Sequence, residues 1–141
     1  MPDGTAFTFD VKGLLAWSTS SGNQFAVAQE DVASGKVRIF AAAYNEFCEV
    51  YEDESVTIAG LKVKREQLTE EHRTSIIAIA DRAKATFGRK GPNDSAVDWK
   101  IAGVASCEKL VVVTDESRKR RYLNVDGIKA VTFEEYISTH E

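Results

Sequence analysis

The sequence predicts an α/β fold, a three-layer α/β/α sandwich around a mostly parallel central sheet. Three observations lead there. Short apolar, strand-like segments alternate with segments of helical periodicity along the chain, the order that builds βαβ units. Residues 110–113 form a continuous Leu-Val-Val-Val run, which suits a strand buried on both faces of a parallel sheet. Acidic residues stand where strands end or just inside the helices that follow, at Asp10, Glu46, Asp98 and the Asp115-Glu116 pair. In open α/β sheets, groups far apart in sequence converge at the carboxyl ends of the strands.

The 141 residues suit one domain, residues 1–141, long enough to bury about two-thirds of the surface its unfolded chain exposes. A content of 43% hydrophobic and 28% charged residues excludes disordered, collagenous and coiled-coil chains. The longest apolar runs, 76–80 and 110–113, are too short to cross a bilayer, and no basic-apolar leader opens the chain. A soluble, cytoplasmic protein without a membrane partner is expected.

Taken in order, residues 6–10 read as a buried strand ending on Asp10, and 11–17 run into a Ser-Thr-Ser-Ser-Gly loop that breaks the pattern. Asn23 is a candidate cap for a helix reaching about residue 33, which Gly35 ends, and 36–40 alternate as a second strand. Residues 41–52 carry alanines, Phe47, Cys48 and Val50 at helical spacing, with Glu46 one turn inside. Residues 53–66 fit either a linker with a small hairpin or a broken helix. Thr69 caps the strongest helix, 70–87, with Gly88 as its C-cap. A turn at 91–93 leads to a helix from Asp94 to about residue 107, capped by Asn93. Then come the 109–114 strand, a short helix at 117–123, a strand at 128–131 and a terminal helix capped by Thr132.

Converging carboxylates repel one another unless a cation sits among them. Cys48 and Cys107 lack paired spacing and read as small buried hydrophobes, and His72 and His140 form no ligand pair, so oxygen ligands and magnesium or manganese are expected rather than zinc. The net charge of −4 offers no global attraction to polyanions, which leaves local basic patches. One is Arg118, Lys119, Arg120 and Arg121; the other is Arg82, Lys84, Arg89 and Lys90.

Within the 94–107 helix, DWKIAGVA from Asp98 resembles the D-x-x-I-A-x-x-A helix of PIN-domain ribonucleases. KLVVVTDE at 109–116 is similar to their last acidic strand ending, FTFD ending at Asp10 to their opening strand, and GKVRIFAAAYNEF to the strand and helix that deliver a second acid, here Glu46. IKAVTFEEYI resembles their closing strand and helix. The segments keep the family's order over nearly the whole chain. The resemblance implies a magnesium- or manganese-dependent endoribonuclease, most like the VapC-type toxins of toxin–antitoxin pairs or a related stand-alone PIN protein, commonly a homodimer silenced by a small antitoxin.

On this reading Asp10, Glu46, Asp98 and Glu116 are the catalytic set and metal ligands. Asp94, one turn before Asp98, and Asp115, beside Glu116, are alternative ligands. Thr114, Lys12, Arg118 and Arg120 contact the RNA. The chain departs from the family pattern after Asp10, where Val11-Lys12 replaces a small hydroxyl residue and Asn. That departure motivates a second reading, a catalytically degenerate PIN-fold binding or assembly module. A phosphoacceptor receiver domain wants a second acid beside Asp10, which Val11 is not, and no glycine forms a GxGxxG or P-loop motif.

Overall fold

Phe7–Phe9 (β1) places an unbroken buried triplet at the middle of the molecule. The computed structural model describes residues 5–87, 96–124 and 128–140, and within these the side chains of 80–87 and 96–99 lie outside the description. Around β1 stand Val37–Arg38 (β2), Val111–Thr114 (β3) and Lys129–Thr132 (β4). All pair in parallel in the order β2-β1-β3-β4. Consecutive burial of Val112, Val113 and Thr114 requires cover on both faces, and the helices supply it.

The first helix, α1 (Val11–Thr19), begins directly on Asp10, and α2 (Gly22–Ser34) follows after a two-residue break. Of the hydroxyl-rich stretch read as a loop, Ser18 and Thr19 belong to the end of α1 and Ser20 is its C-cap, and all three bond back to carbonyls of that last turn. Helix α2 starts one residue before the expected Asn23 cap and ends, as expected, on Gly35 in the left-handed region at φ 88°. The undecided 53–66 stretch divides in two. Helix α3 (Ala41–Val50) stops at Tyr51, α4 (Glu52–Ala59) continues from it, and 61–67 run outside any helix.

Helix α5 (Glu70–Phe87) has the expected bounds. His72 and Thr69 exchange hydrogen bonds at its start, Nδ1 accepting from the Thr69 N–H at 3.0 Å, so histidine takes the place of the usual Glu in a capping box. Helix α6 (Ala96–Glu108) lies against α5 closely enough that a Cβ on Gly103 would meet the Ile76 backbone. Helices α7 (Glu116–Leu123) and α8 (Phe133–Ser138) complete the chain, α8 with the full Thr132–Glu135 capping box. Gly88, the 91–93 turn, Asp94, Arg89 and Lys90 lie outside the described residues, as do the side chains of Arg82, Lys84, Asp98 and Trp99.

One face of β1 is aromatic. Phe7 and Phe9 meet Tyr136 edge-on at 5.1 and 5.5 Å, and Phe9 also meets Trp17 at 5.9 Å. Each such buried ring contributes about 2–3 kcal/mol, enough to seat α1 and α8 against the strand. Cys48 and Cys107 are free thiols, half-buried rather than fully enclosed.

Candidate active site

The carboxyl end of β1 delivers Asp10, and the same residue is the N-cap of α1. Its backbone stays extended while Oδ1 accepts the Gly13 N–H at 2.8 Å, satisfying one of the orphan donors of the helix start. Gly13 is needed there, because a Cβ would run into the Val113 carbonyl oxygen and push α1 off β3. On Oδ2, the Thr114 hydroxyl donates at 2.7 Å and the Tyr122 hydroxyl at 2.9 Å. Side chains 104 and 112 positions further along the chain thus meet on one carboxylate.

Asp10 is 0% exposed. Burial pushes its carboxyl above the ordinary carboxylate range, against the opposing pull of Thr114, Gly13, Tyr122 and, through space, the Arg118 guanidinium. The three hydrogen-bond donors are neutral, so they orient the charge more than they cancel it.

Beside it opens a crevice of about 280 Å³ at the carboxyl ends of β3 and β4, bounded by Ala16, Thr114, Asp115, Glu116, Thr132 and Glu134, with Phe133 completing its wall. Thr114 belongs to both features. Asp115 N-caps α7 by accepting the Arg118 N–H at 2.8 Å, and Glu116 stands exposed in the first turn.

Three further expected site residues lie on α1, α3 and α7. Glu46 is half-buried on α3, which packs against α1. Lys12 turns to the α3–α4 junction, where Nζ donates to the Tyr51 hydroxyl at 2.5 Å and lies 5.1 Å above its ring. Arg120 is exposed on α7, and its neighbour Lys119 pairs with Glu135 at 2.7 Å. Among the described residues no group of three His, Cys, Asp or Glu side chains could share a metal ion. The expected four-acid convergence is therefore not seen among them, and the Asp94 and Asp98 side chains lie outside them.

Sequence reasoning missed Tyr122, Gly13 and Glu134 as site residues. Gly13 was findable as the third residue after a capping acid, and Glu134 as part of the closing T-F-E-E string. Tyr122 carries no such signal, since its contact with Asp10 spans 112 positions.

No protein-family model matches the chain, and no curated protein aligns with it. Solved structures do. The DNA-bound VapBC structure from Salmonella typhimurium contains a chain that superposes with a TM-score of 0.69, at 16% identity, over 92% of this chain and 98% of its own. PAE2754 from Pyrobaculum aerophilum superposes with a TM-score of 0.66, at 15% identity, over 96% of each. At such identities the likeness is one of fold, and that fold is the PIN-like α/β architecture expected from the sequence.

Proposed function

We propose that this PIN-like chain is a magnesium- or manganese-dependent endoribonuclease acting at the carboxyl end of its sheet, and that it is the toxin of a toxin–antitoxin pair. The observation that carries the reading is Asp10, a fully buried carboxylate held by neutral donors at the edge of an acid-lined crevice. Burying a charge without a full counter-charge is costly; protonation relieves it, and at neutral pH a bound cation would do so while keeping the carboxylate ionised. The donors around the crevice are carboxylate and hydroxyl oxygens, which suit a hard divalent ion. Magnesium needs only one or two protein carboxylates beside its waters.

Asp10, Asp98 and Glu116 would hold the ion, with Asp94, Asp115 and Glu46 as further ligands or as partners of its bound waters. When bound, it acts as a Lewis acid on the phosphate and lowers the pKa of a water. Thr114 and Tyr122 keep the Asp10 carboxylate in a single orientation. Glu116, exposed at the crevice, accepts the proton of the attacking water on a carboxylate oxygen. Arg118 and Arg120 attract the RNA backbone. An antitoxin partner, a homodimeric state and a cytoplasmic setting accompany the toxin reading, and the likeness to DNA-bound VapBC supports the first of these.

The non-catalytic module remains the second reading, favoured by the lack of a three-acid group among the described residues. Incubating single-stranded RNA with the protein, manganese and a chelator control separates the two. Cleavage that needs both the metal and Asp98, tested with Asp98→Asn, supports the nuclease. Intact RNA together with no calorimetric heat of metal binding supports the module.

A further inference from the structure

The row of chain ends at the carboxyl edge of the sheet extends beyond β2. Residues 61–67 run beside it, with the Glu66 N–H donating to the Ile39 carbonyl at 2.8 Å and the Ala41 N–H to the Glu66 carbonyl at 2.9 Å, a parallel bridge. The strand register pairs Phe7 with both Val37 and Val111, so continuing it sets Phe40 level with Asp10 and Thr114. In order along the edge stand Glu66, Phe40, Asp10, Thr114 and Thr132, about 4.8 Å per step, with Gln67 and Ala41 one residue beyond the first two.

The acidic crevice occupies one end of that row. At the other end is a second cavity of about 410 Å³, bounded by Ala41, Asn45, Val63, Arg65 and Gln67. Its lining carries a guanidinium and two carboxamides and no carboxylate. The Arg65 guanidinium lies 4.9 Å above the Tyr44 ring, which fixes its plane. Glu66, the adjacent acid, is engaged by the Arg38 fork at 2.8 and 2.7 Å, and alternation along an extended segment points residues 65 and 66 to opposite sides. Among the described residues Arg65 has no ion pair, and the Asn45 and Gln67 amides have no hydrogen-bond partner. Lys62 and Lys64 are exposed alongside. On an acidic chain, this is a local cationic patch with unused base-reading groups.

We infer that this cavity is a nucleotide subsite for single-stranded RNA, in which Arg65 takes a phosphate flanking the one cut at the crevice and Asn45 and Gln67 read a base edge. Two steps of the row, about 10 Å, separate it from Asp10, a span bridged by a few nucleotides. The inference rests on the ribonuclease reading, and binding and cleavage test the two separately.

The experiment uses the full chain and a fluorescent single-stranded RNA oligonucleotide, with anisotropy recorded in chelator and cleavage in manganese. Arg65→Ala and the Asn45→Ala/Gln67→Ala pair should each weaken binding about tenfold, Arg65→Ala should lower the salt slope by about one, and both should raise KM with kcat unchanged. Arg65→Lys should restore part of the loss. Thermal melts confirm folding of these exposed-site variants. Equal RNA affinity in native and variant proteins would overturn the subsite and leave the nuclease reading untouched. Polyglutamate competing as well as RNA would overturn it in favour of a general anion patch, and so would failure of the native chain to bind RNA. Arg65-dependent binding without any cleavage would uphold the subsite and remove the nuclease.

Discussion

Two buried carboxylates in this molecule are treated in opposite ways. Asp31 on α2 is gripped by the C-terminal helix, the Tyr136 hydroxyl donating to Oδ2 at 2.5 Å and His140 Nε2 meeting the same oxygen at 2.6 Å. The Tyr136 phenol is held well above its ordinary range by burial and then by Asp31, so it remains a donor. Among the described residues the donors in direct contact with Asp10 are neutral, and its own carboxyl is the group that burial pushes up. Asp31 has its partners within the chain and works as a clasp between α2 and α8. Asp10 is also hydrogen-bonded on both oxygens, and on the proposed reading a cation would balance its charge.

The largest expected effect separates them by activity. Asp10→Asn keeps the cap on Oδ1, with the Thr114 and Tyr122 hydroxyls turning to accept from its Nδ2 amide, yet should lower RNA cleavage about a thousandfold, some 4 kcal/mol of transition-state stabilisation. Asp31→Ala should leave kcat within about threefold in the same assay. Stability should reverse the ranking. Asp31→Ala strands the buried Tyr136 hydroxyl and should cost about 2–3 kcal/mol in urea unfolding, whereas Asp10→Asn removes a poorly compensated buried charge and should not destabilise. Gly13→Ala should cost about 1–3 kcal/mol by forcing α1 from the Val113 carbonyl, and it should impair cleavage as well, because the same shift moves the Asp10 cap.

The smallest effect is in pH. A carboxyl raised in the folded state contributes stability below the ordinary carboxylate range, and that contribution is lost as pH rises through its folded value. The melting temperature of Asp10→Asn relative to native protein should therefore climb from mildly acidic to neutral pH. A parallel pair of curves would show that burial does not perturb Asp10.

Much of this fold was legible in the sequence because local signals agreed with tertiary demands. Three residues of the Leu110–Val113 run lie in β3, one of the two inner strands, Gly35 takes the left-handed C-cap and Thr132 closes its capping box. Helix α1 was hidden because Asp10 ends a strand and caps a helix at once, leaving no loop between them. Helix α4 was hidden by the Tyr51 junction, which joins it to α3 without a breaker residue. At the site, Asp10 and Thr114 were readable as strand ends, and the structure joins them through one hydrogen bond. The contact from Tyr122 arises from packing of α7 across the strand ends, which no spacing rule encodes.

Manganese titrated into native protein and Asp10→Asn, with the melting temperature as readout, tests most directly whether Asp10 awaits a cation. A ligand that binds only the folded state raises its melting point, so native protein should be stabilised with rising manganese at neutral pH while Asp10→Asn stays unchanged. Equal shifts in the two proteins, or none in either, would contradict the account.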